Sequence, residues 1–353
     1  MVLGFDRLWN WLKSNQEVAS VSQDLQKLPT SYQQDLRQSL AQLPIPEKTQ
    51  TTIKNAVTDA IASWQKDDAA ENHLAFIDSP AEPLEDYLIN LLTEDSQLDN
   101  CLVFSFPHST TPQQRKTQLK EALSHIPSDA EVILIPNLAK GFLRCIHGLE
   151  AITTLQTTIL ENRDRFWILG CPSWAWEFLH TTHQIKANLN QETYLPSLDA
   201  KELEAWFKKV DVDILIEAEE EQTCSYFQSL TKASLGLSQV AQDLWINSLF
   251  CPQEKAEIEN PTLSVKRQTS FLPELPELSL EDCYLLYSLL LHQTLNLDCL
   301  AVSLGTHATS LQSQILQLQK KSFILAEDGV YRVNPHYYPH ILLDLRRNGF
   351  LVP

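Results

Sequence analysis

The chain has 353 residues, 43% hydrophobic and 20% charged, an ordinary balance for a folded protein with room for two or three domains. Acids exceed bases to a net charge of −18, which disfavours nucleic-acid binding by the surface as a whole. The eight glycines fall at no spacing that makes G-x-x-x-x-G-K-[ST], G-x-G-x-x-G or G-x-S-x-G, which excludes glycine-built phosphate cradles and the nucleophile elbow.

Residues 1–70 read as helical. Phe5, Leu8, Trp9 and Leu12 recur at helical spacing and form a candidate contact face for a protein partner or, as the alternative, a membrane surface. Two more helical patterns follow, Tyr32-Leu36-Leu40-Leu43 before Pro44 and Pro46, and Ile53-Val57-Ile61-Trp64. No stretch of about eighteen uninterrupted apolar residues is present and no signal peptide is recognisable. The seven cysteines make no C-x-x-C pair and read as free thiols of a reducing cytoplasm, the expected location.

Over residues 71–216 short apolar runs alternate with helical stretches. The runs are His73–Asp78, Cys101–Phe106, Glu131–Ile135, Phe166–Gly170 and Val212–Ile216; the stretches include Pro83–Thr93, Pro112–Ser124, Phe142–Glu161, Trp174–His180 and Ala200–Lys208. Continuous apolar strands separated by helices predict a three-layer α/β domain around a parallel sheet. Residues 217–272 read as a helical lid broken at Gly236, followed by an acidic connector; from Asp211 to Pro261 only Lys232 and Lys255 oppose the acids. Residues 273–353 read as a winged helix: helices over Leu280–Leu291, Leu297–Leu304 and Thr309–Lys321, then a hairpin turning at Glu327-Asp328-Gly329, with a last helix over Tyr337–Phe350. Leu311, Ile315, Leu316 and Leu318 are expected inward on the third helix.

Four segments carry a resemblance: EVILIPNLAKGFLR (131–144), GLEAITTLQTTIL (148–160), FWILGCPSWAWEFL (166–179) and GLSQVAQDLWINSL (236–249). Together they resemble the Walker B strand with its succeeding helix, a sensor strand and a lid helix of a bacterial AAA+/STAND-type ATPase module with a C-terminal winged helix. The resemblance implies an AAA+-like α/β fold with an N-terminal helical segment, a helical lid and a winged helix.

The catalytic parts of such a module do not carry over. After the first strand stands Asp78-Ser79-Pro80-Ala81-Glu82-Pro83, with no glycine and no lysine, where the family places its phosphate loop. Pro136, Asn137 and Ala139 stand where the resemblance implies metal-binding acids. Ser173 reads as the cap of the following helix, with Trp174 and Trp176 as core. No catalytic residue, cofactor, metal site or small-molecule substrate is therefore expected; His180 with His183 and His336 with His340 lack a third ligand.

The function expected is that of a non-catalytic pseudo-ATPase acting as an interaction scaffold or adaptor with a protein partner. A DNA-binding regulator and nucleotide binding without hydrolysis are the alternatives. The winged helix would make its contacts through Gln312, Ser313, Gln319, Lys320 and Lys321, and this near-neutral face, with Glu327 and Asp328 at the wing tip, disfavours DNA.

Overall fold

The computed structural model describes residues 25–27, 30–67, 69–93, 101–106, 111–210, 220–252, 264–265 and 278–350. Phe5, Leu8, Trp9, Leu12 and the strand expected at Val212–Ile216 lie outside these residues. Among the described residues no helix is long and apolar enough to cross a membrane.

In chain order the first elements are β1 (Leu25–Lys27), α1 (Thr30–Ala41), α2 (Glu47–Lys66), β2 (His73–Asp78), α3 (Leu84–Thr93), β3 (Cys101–Val103), α4 (Pro112–Ser124) and β4 (Val132–Ile135). Then come a 3-10 turn over Leu138–Gly141, α5 (Glu150–Glu161), β5 (Phe166–Pro172), α6 (Ser173–His183), α7 (Ile185–Asn188), β6 (Glu192–Tyr194), α8 (Ala200–Phe207), α9 (Glu220–Ser234), α10 (Ser238–Asn247), β7 (Leu249–Pro252) and β8 (Ser264–Val265). The chain closes with α11 (Leu280–His292), β9 (Leu295–Asn296), α12 (Leu297–Leu304), α13 (Ala308–Lys320), β10 (Ile324–Glu327), β11 (Val330–Val333) and α14 (Tyr338–Arg347).

These elements fall into two compact units. One comprises Met1–Pro46, Ser197–Pro276 and Pro335–His340; the other comprises Glu47–Pro196, Glu277–Asn334 and Ile341–Pro353. In the first unit β7 lies between β1 and β8 in an antiparallel sheet. Its core stacks Phe207 on Trp245, ring centroids 5.0 Å apart, and buries Leu230, Val240 and Leu244. Leu235 and Gly236 carry positive φ, 61° and 71°, and end α9 where the sequence places the break. A Cβ on Gly236 would stand 2.5 Å from the Leu198 carbonyl oxygen. Gly236→Ala is therefore expected to lower stability by about 1–3 kcal/mol, read as a lower urea midpoint at unchanged slope.

The second unit is built on a five-stranded parallel sheet in the order β3-β4-β5-β2-β6. The fold is the α/β parallel-sheet class that the sequence predicts. Every residue of β4 and β5 is buried, as their unbroken apolar runs require of strands covered on both faces. The fifth strand is Glu192–Tyr194, a short, partly exposed edge. At the carboxyl end of the sheet, a Cβ on Gly170 would stand 2.1 Å from the Pro136 carbonyl oxygen, so β5 lets the end of β4 come close only because this residue is glycine.

The helix expected over Phe142–Glu161 begins only at Glu150. Upstream of it, Arg115 takes the carbonyls of Lys140 and Phe142, and Gly148 sits where a Cβ would be 1.8 Å from the Leu143 carbonyl oxygen; residues 142–149 are held in an irregular path.

In the same unit the C-terminal segment supplies α11, α12 and α13 and a three-stranded antiparallel sheet, order β10-β11-β9. Ser279 caps α11 reciprocally with Asp282. Every residue from Leu285 to His292 is buried, whereas Leu280 and Tyr284 near the start of α11 are exposed; its C-terminal turns are shared between the α/β domain and the C-terminal helices. Trp174 meets Tyr287 across that contact at 5.7 Å. On α13 Leu311, Ile315 and Leu318 fill the inward stripe at i, i+4 and i+7; Leu316, expected inward, falls off that stripe and is 57% exposed.

Candidate functional site

The chain leaves β2 toward β3 at one edge of the sheet and leaves β5 toward β6 at the other. The carboxyl ends of these two neighbouring strands therefore flank a topological switch point, the place where open α/β sheets bind ligands. Three short segments meet there: Ser79–Pro83 after β2, Asn137 after β4 and Ser173 after β5.

The first segment is a self-contained turn. The Ser79 amide donates to Asp78 Oδ1 at 2.7 Å, the Ala81 amide to Ser79 Oγ at 3.3 Å and the Glu82 amide to the Ser79 carbonyl at 3.0 Å. Pro80 and Pro83 have no N–H, so every backbone donor from 79 to 83 is engaged inward or missing. A phosphate nest needs those donors pointing out. Glu82 is buried and accepts from Tyr87 Oη at 3.2 Å. Burial, and then the neighbouring Glu82 carboxylate, push the Asp78 pKa well above the usual carboxylate range; the Ser79 amide offsets this in part.

That shift has a sign. The folded state keeps a proton on Asp78 that the unfolded chain releases once the pH passes its value of 3.8. The contribution is fully present below that value and declines as the pH rises toward the folded pKa. Asp78→Asn is expected to stabilise the protein at pH 8 and to do so far less at pH 4, measured as urea midpoints at both.

The second segment is closed by the chain's own side chains. Asn137 is buried; its Oδ1 accepts from the Ala139 amide at 3.0 Å, and its Nδ2 donates to Gln293 Oε1 at 2.5 Å and Glu85 Oε2 at 3.3 Å. Gln293 Nε2 in turn donates to the Pro80 carbonyl at 3.4 Å. Glu85 also holds Lys140 Nζ at 2.6 Å. Gln293 thus bridges the turn after β2 and the residue after β4, across the switch point.

Around that bridge, His292 Nδ1 lies 3.3 Å from the Ala139 carbonyl, and its Nε2 accepts from the Arg144 amide at 3.3 Å. These partners fix a neutral ring protonated at Nδ1, and burial holds its pKa down at about 3. Arg144 reaches Ser288 Oγ at 3.2 Å and the Ser303 carbonyl at 3.3 Å. Arg115, also buried, donates to the carbonyls of Lys140 and Phe142 and lies 3.9 Å from Cys299 Sγ.

In the third segment Ser173 is the first residue of α6, behind Pro172, and its side chain makes no capping bond; the expected cap is corrected on this point. Proline already fixes the entry to this helix. Trp174 and Trp176 are buried. Elsewhere Gln312, Ser313, Lys320 and Lys321 are exposed on or just after α13, and Gln319 is half-buried. Arg332, on the hairpin, is tied to Glu327 at 3.1 Å. Among the described residues no group of three or more His, Cys, Asp or Glu side chains is placed to hold a metal ion.

Of this arrangement the sequence points to Asn137, Asp78 and Glu82 but not to Gln293, His292, Arg144 or Arg115. The available signal is the polar run His292-Gln293-Thr294, which ends an otherwise apolar helix.

No family model and no curated protein matches the sequence. Solved structures match at a distance. The RuvB Holliday junction branch migration motor of Thermotoga maritima is 16% identical, with 86% of this chain and 95% of that one covered and a TM-score of 0.38. The ORC2 protein of Aeropyrum pernix, in ADPNP–ADP complexes, is 10% identical over 88% and 97%, with a TM-score of 0.41. A Walker-type ATPase of Pyrococcus abyssi is 11% identical over 86% and 95%, with a TM-score of 0.35. The fold assignment rests on the strand order and burial described above.

Proposed function

We propose that this chain is a non-catalytic pseudo-ATPase that works as a protein-interaction scaffold or adaptor. The observation that carries the reading is the state of the switch-point crevice. Its turn presents no backbone donor from 79 to 83, a carboxyl pair, Glu82 buried and Asp78 half-buried, stands beside it, and Gln293 spans the remaining gap to Asn137. A magnesium–triphosphate group would meet negative charge where a nucleotide site supplies a lysine and amides. Because every residue from Leu285 to His292 is buried, the helix that leads into Gln293 belongs to the unit's core.

In this reading the C-terminal helices and hairpin form a winged helix whose outer face, with Gln312, Ser313, Lys320 and Lys321, meets a protein. Two lysines and a wing tip of Glu327 and Asp328 supply too little positive charge for phosphate contacts.

Titrating the full chain with Mg-ATP by calorimetry, and with duplex DNA at low and high salt, tests the proposal. No saturable nucleotide heat and no salt-sensitive DNA binding are expected. Micromolar Mg-ATP binding weakened by Asn137→Ala, or DNA binding that falls steeply with salt, would overturn it. A tagged chain should retain a protein partner after apyrase treatment and lose it when Gln312, Ser313, Lys320 and Lys321 are all changed to alanine.

A further inference from the structure

Gln293 reaches the crevice at the cost of a strained backbone. Its φ and ψ are 60° and −50°, and the Thr294 amide donates to the His292 carbonyl at 2.7 Å. This is a γ-turn of the disfavoured hand, which a glycine would tolerate better. Strain of this kind persists where surrounding contacts enforce it, and it concentrates at ligand clamps and switches. Beside the turn, the Thr294 hydroxyl oxygen is buried without a hydrogen-bond partner.

The side chain that the strain delivers makes a two-point contact. Its oxygen accepts from Asn137 Nδ2 and its nitrogen donates to the Pro80 carbonyl. A donor and an acceptor on one planar group are what a primary carboxamide offers. A carboxylate has no proton to give Pro80, and it would face the Asp78–Glu82 pair.

We propose that the gap between Asn137 and the Pro80 carbonyl is a carboxamide-binding site, filled in cis by Gln293 and open to a glutamine side chain of a peptide partner when the γ-turn relaxes. The relaxation moves Gln293 and Thr294 and leaves α11, which ends at the buried His292, in place. The inference rests on the crevice being closed to nucleotide, and it names the ligand chemistry of that same crevice.

The test uses the full chain labelled with 15N at asparagine and alanine and carrying Gln293→Gly, which empties the gap and relieves the positive φ. The probe is N-acetylglutamine N-methylamide, with the matching blocked glutamate as control. Saturable shifts of the Asn137 side-chain amide and the Ala139 backbone amide are expected with the glutamine probe. They should be at least tenfold weaker in the wild type, where Gln293 competes, and absent with the glutamate probe or in the double variant that adds Asn137→Ala. A folded Q293G chain that shows no shift, or equal shifts with both probes, would overturn the site. If Q293G does not fold, Gln293→Ala empties the same gap and is read by the same criteria. Mg-ATP added to Q293G separates the two claims: nucleotide binding there would count against the proposed function, whereas the glutamine titration judges the carboxamide site.

Discussion

Changing Arg115 to methionine is expected to lower the stability of the protein by about 3 kcal/mol, one of the two largest effects foreseen. Methionine keeps most of the apolar stem and removes the donors. The carbonyls of Lys140 and Phe142, both in the path between β4 and α5, would then lose a buried charged donor. An unsatisfied buried carbonyl costs about 1–3 kcal/mol, and little solvent reaches this position to replace the guanidinium. Arg115→Lys should recover part of the loss, because an ammonium on a similar stem can reach one carbonyl but lacks the fork that holds two. Urea unfolding gives the magnitude. Hydrogen exchange should locate it: faster exchange over 138–144 is expected in the methionine variant, and unchanged exchange there would show that the clamp is not what holds this path.

The second large effect is a loss of stability in acid that traces to His292. The folded pKa is about 3 and the ordinary value is 6.5. Between these values the unfolded chain binds a proton at this ring and the folded chain does not, so stability falls as the pH drops from about 6.5 toward 3 and is complete above that window. Each unit is worth about 1.4 kcal/mol, so the ring accounts for about 5 kcal/mol across the window. His292→Gln removes the titration while keeping a donor and an acceptor. The difference in stability between wild type and H292Q, measured at pH 7 and pH 4, isolates this ring from His340, which burial holds at about 4 and which titrates in the same direction. A difference that does not change between those pH values would remove His292 from the account of acid sensitivity.

The parts of the fold legible in the sequence are those whose signal is local. His73–Asp78, Val132–Ile135 and Phe166–Pro172 are unbroken apolar runs because both faces of each strand are covered, and the run itself reports that burial. Leu297–Leu304 is bounded by Asn296, whose side chain caps it, and by Gly305 at positive φ, both standard helix boundaries. The edge strand Glu192–Tyr194 leaves no such mark: it is three residues long, partly exposed and polar.

The candidate site divides along the same line. Asp78, Glu82 and Asn137 follow strands that the pattern finds, so their place at the carboxyl end of the sheet is readable. Gln293 reaches Asn137 from 156 positions away. Neither its spacing nor its chemistry announces a γ-turn, and only the folded chain brings the two amides together. Arg115 lies in a helical stretch that sequence reads well, but its carbonyl partners depend on the irregular path of residues 138–149.

The inward-turned amides of Ser79, Ala81 and Glu82 also set what it would take to build a nucleotide site at this crevice. Introducing a lysine alone would add a cation among Asp78, Glu82 and Glu85 without providing any backbone N–H to cradle an oxyanion. Removing Pro80 and Pro83 would return two donors but leave the turn wound around Ser79. A phosphate cradle at this crevice would therefore take a rewritten loop together with the withdrawal of Gln293, and neither change alone would supply it.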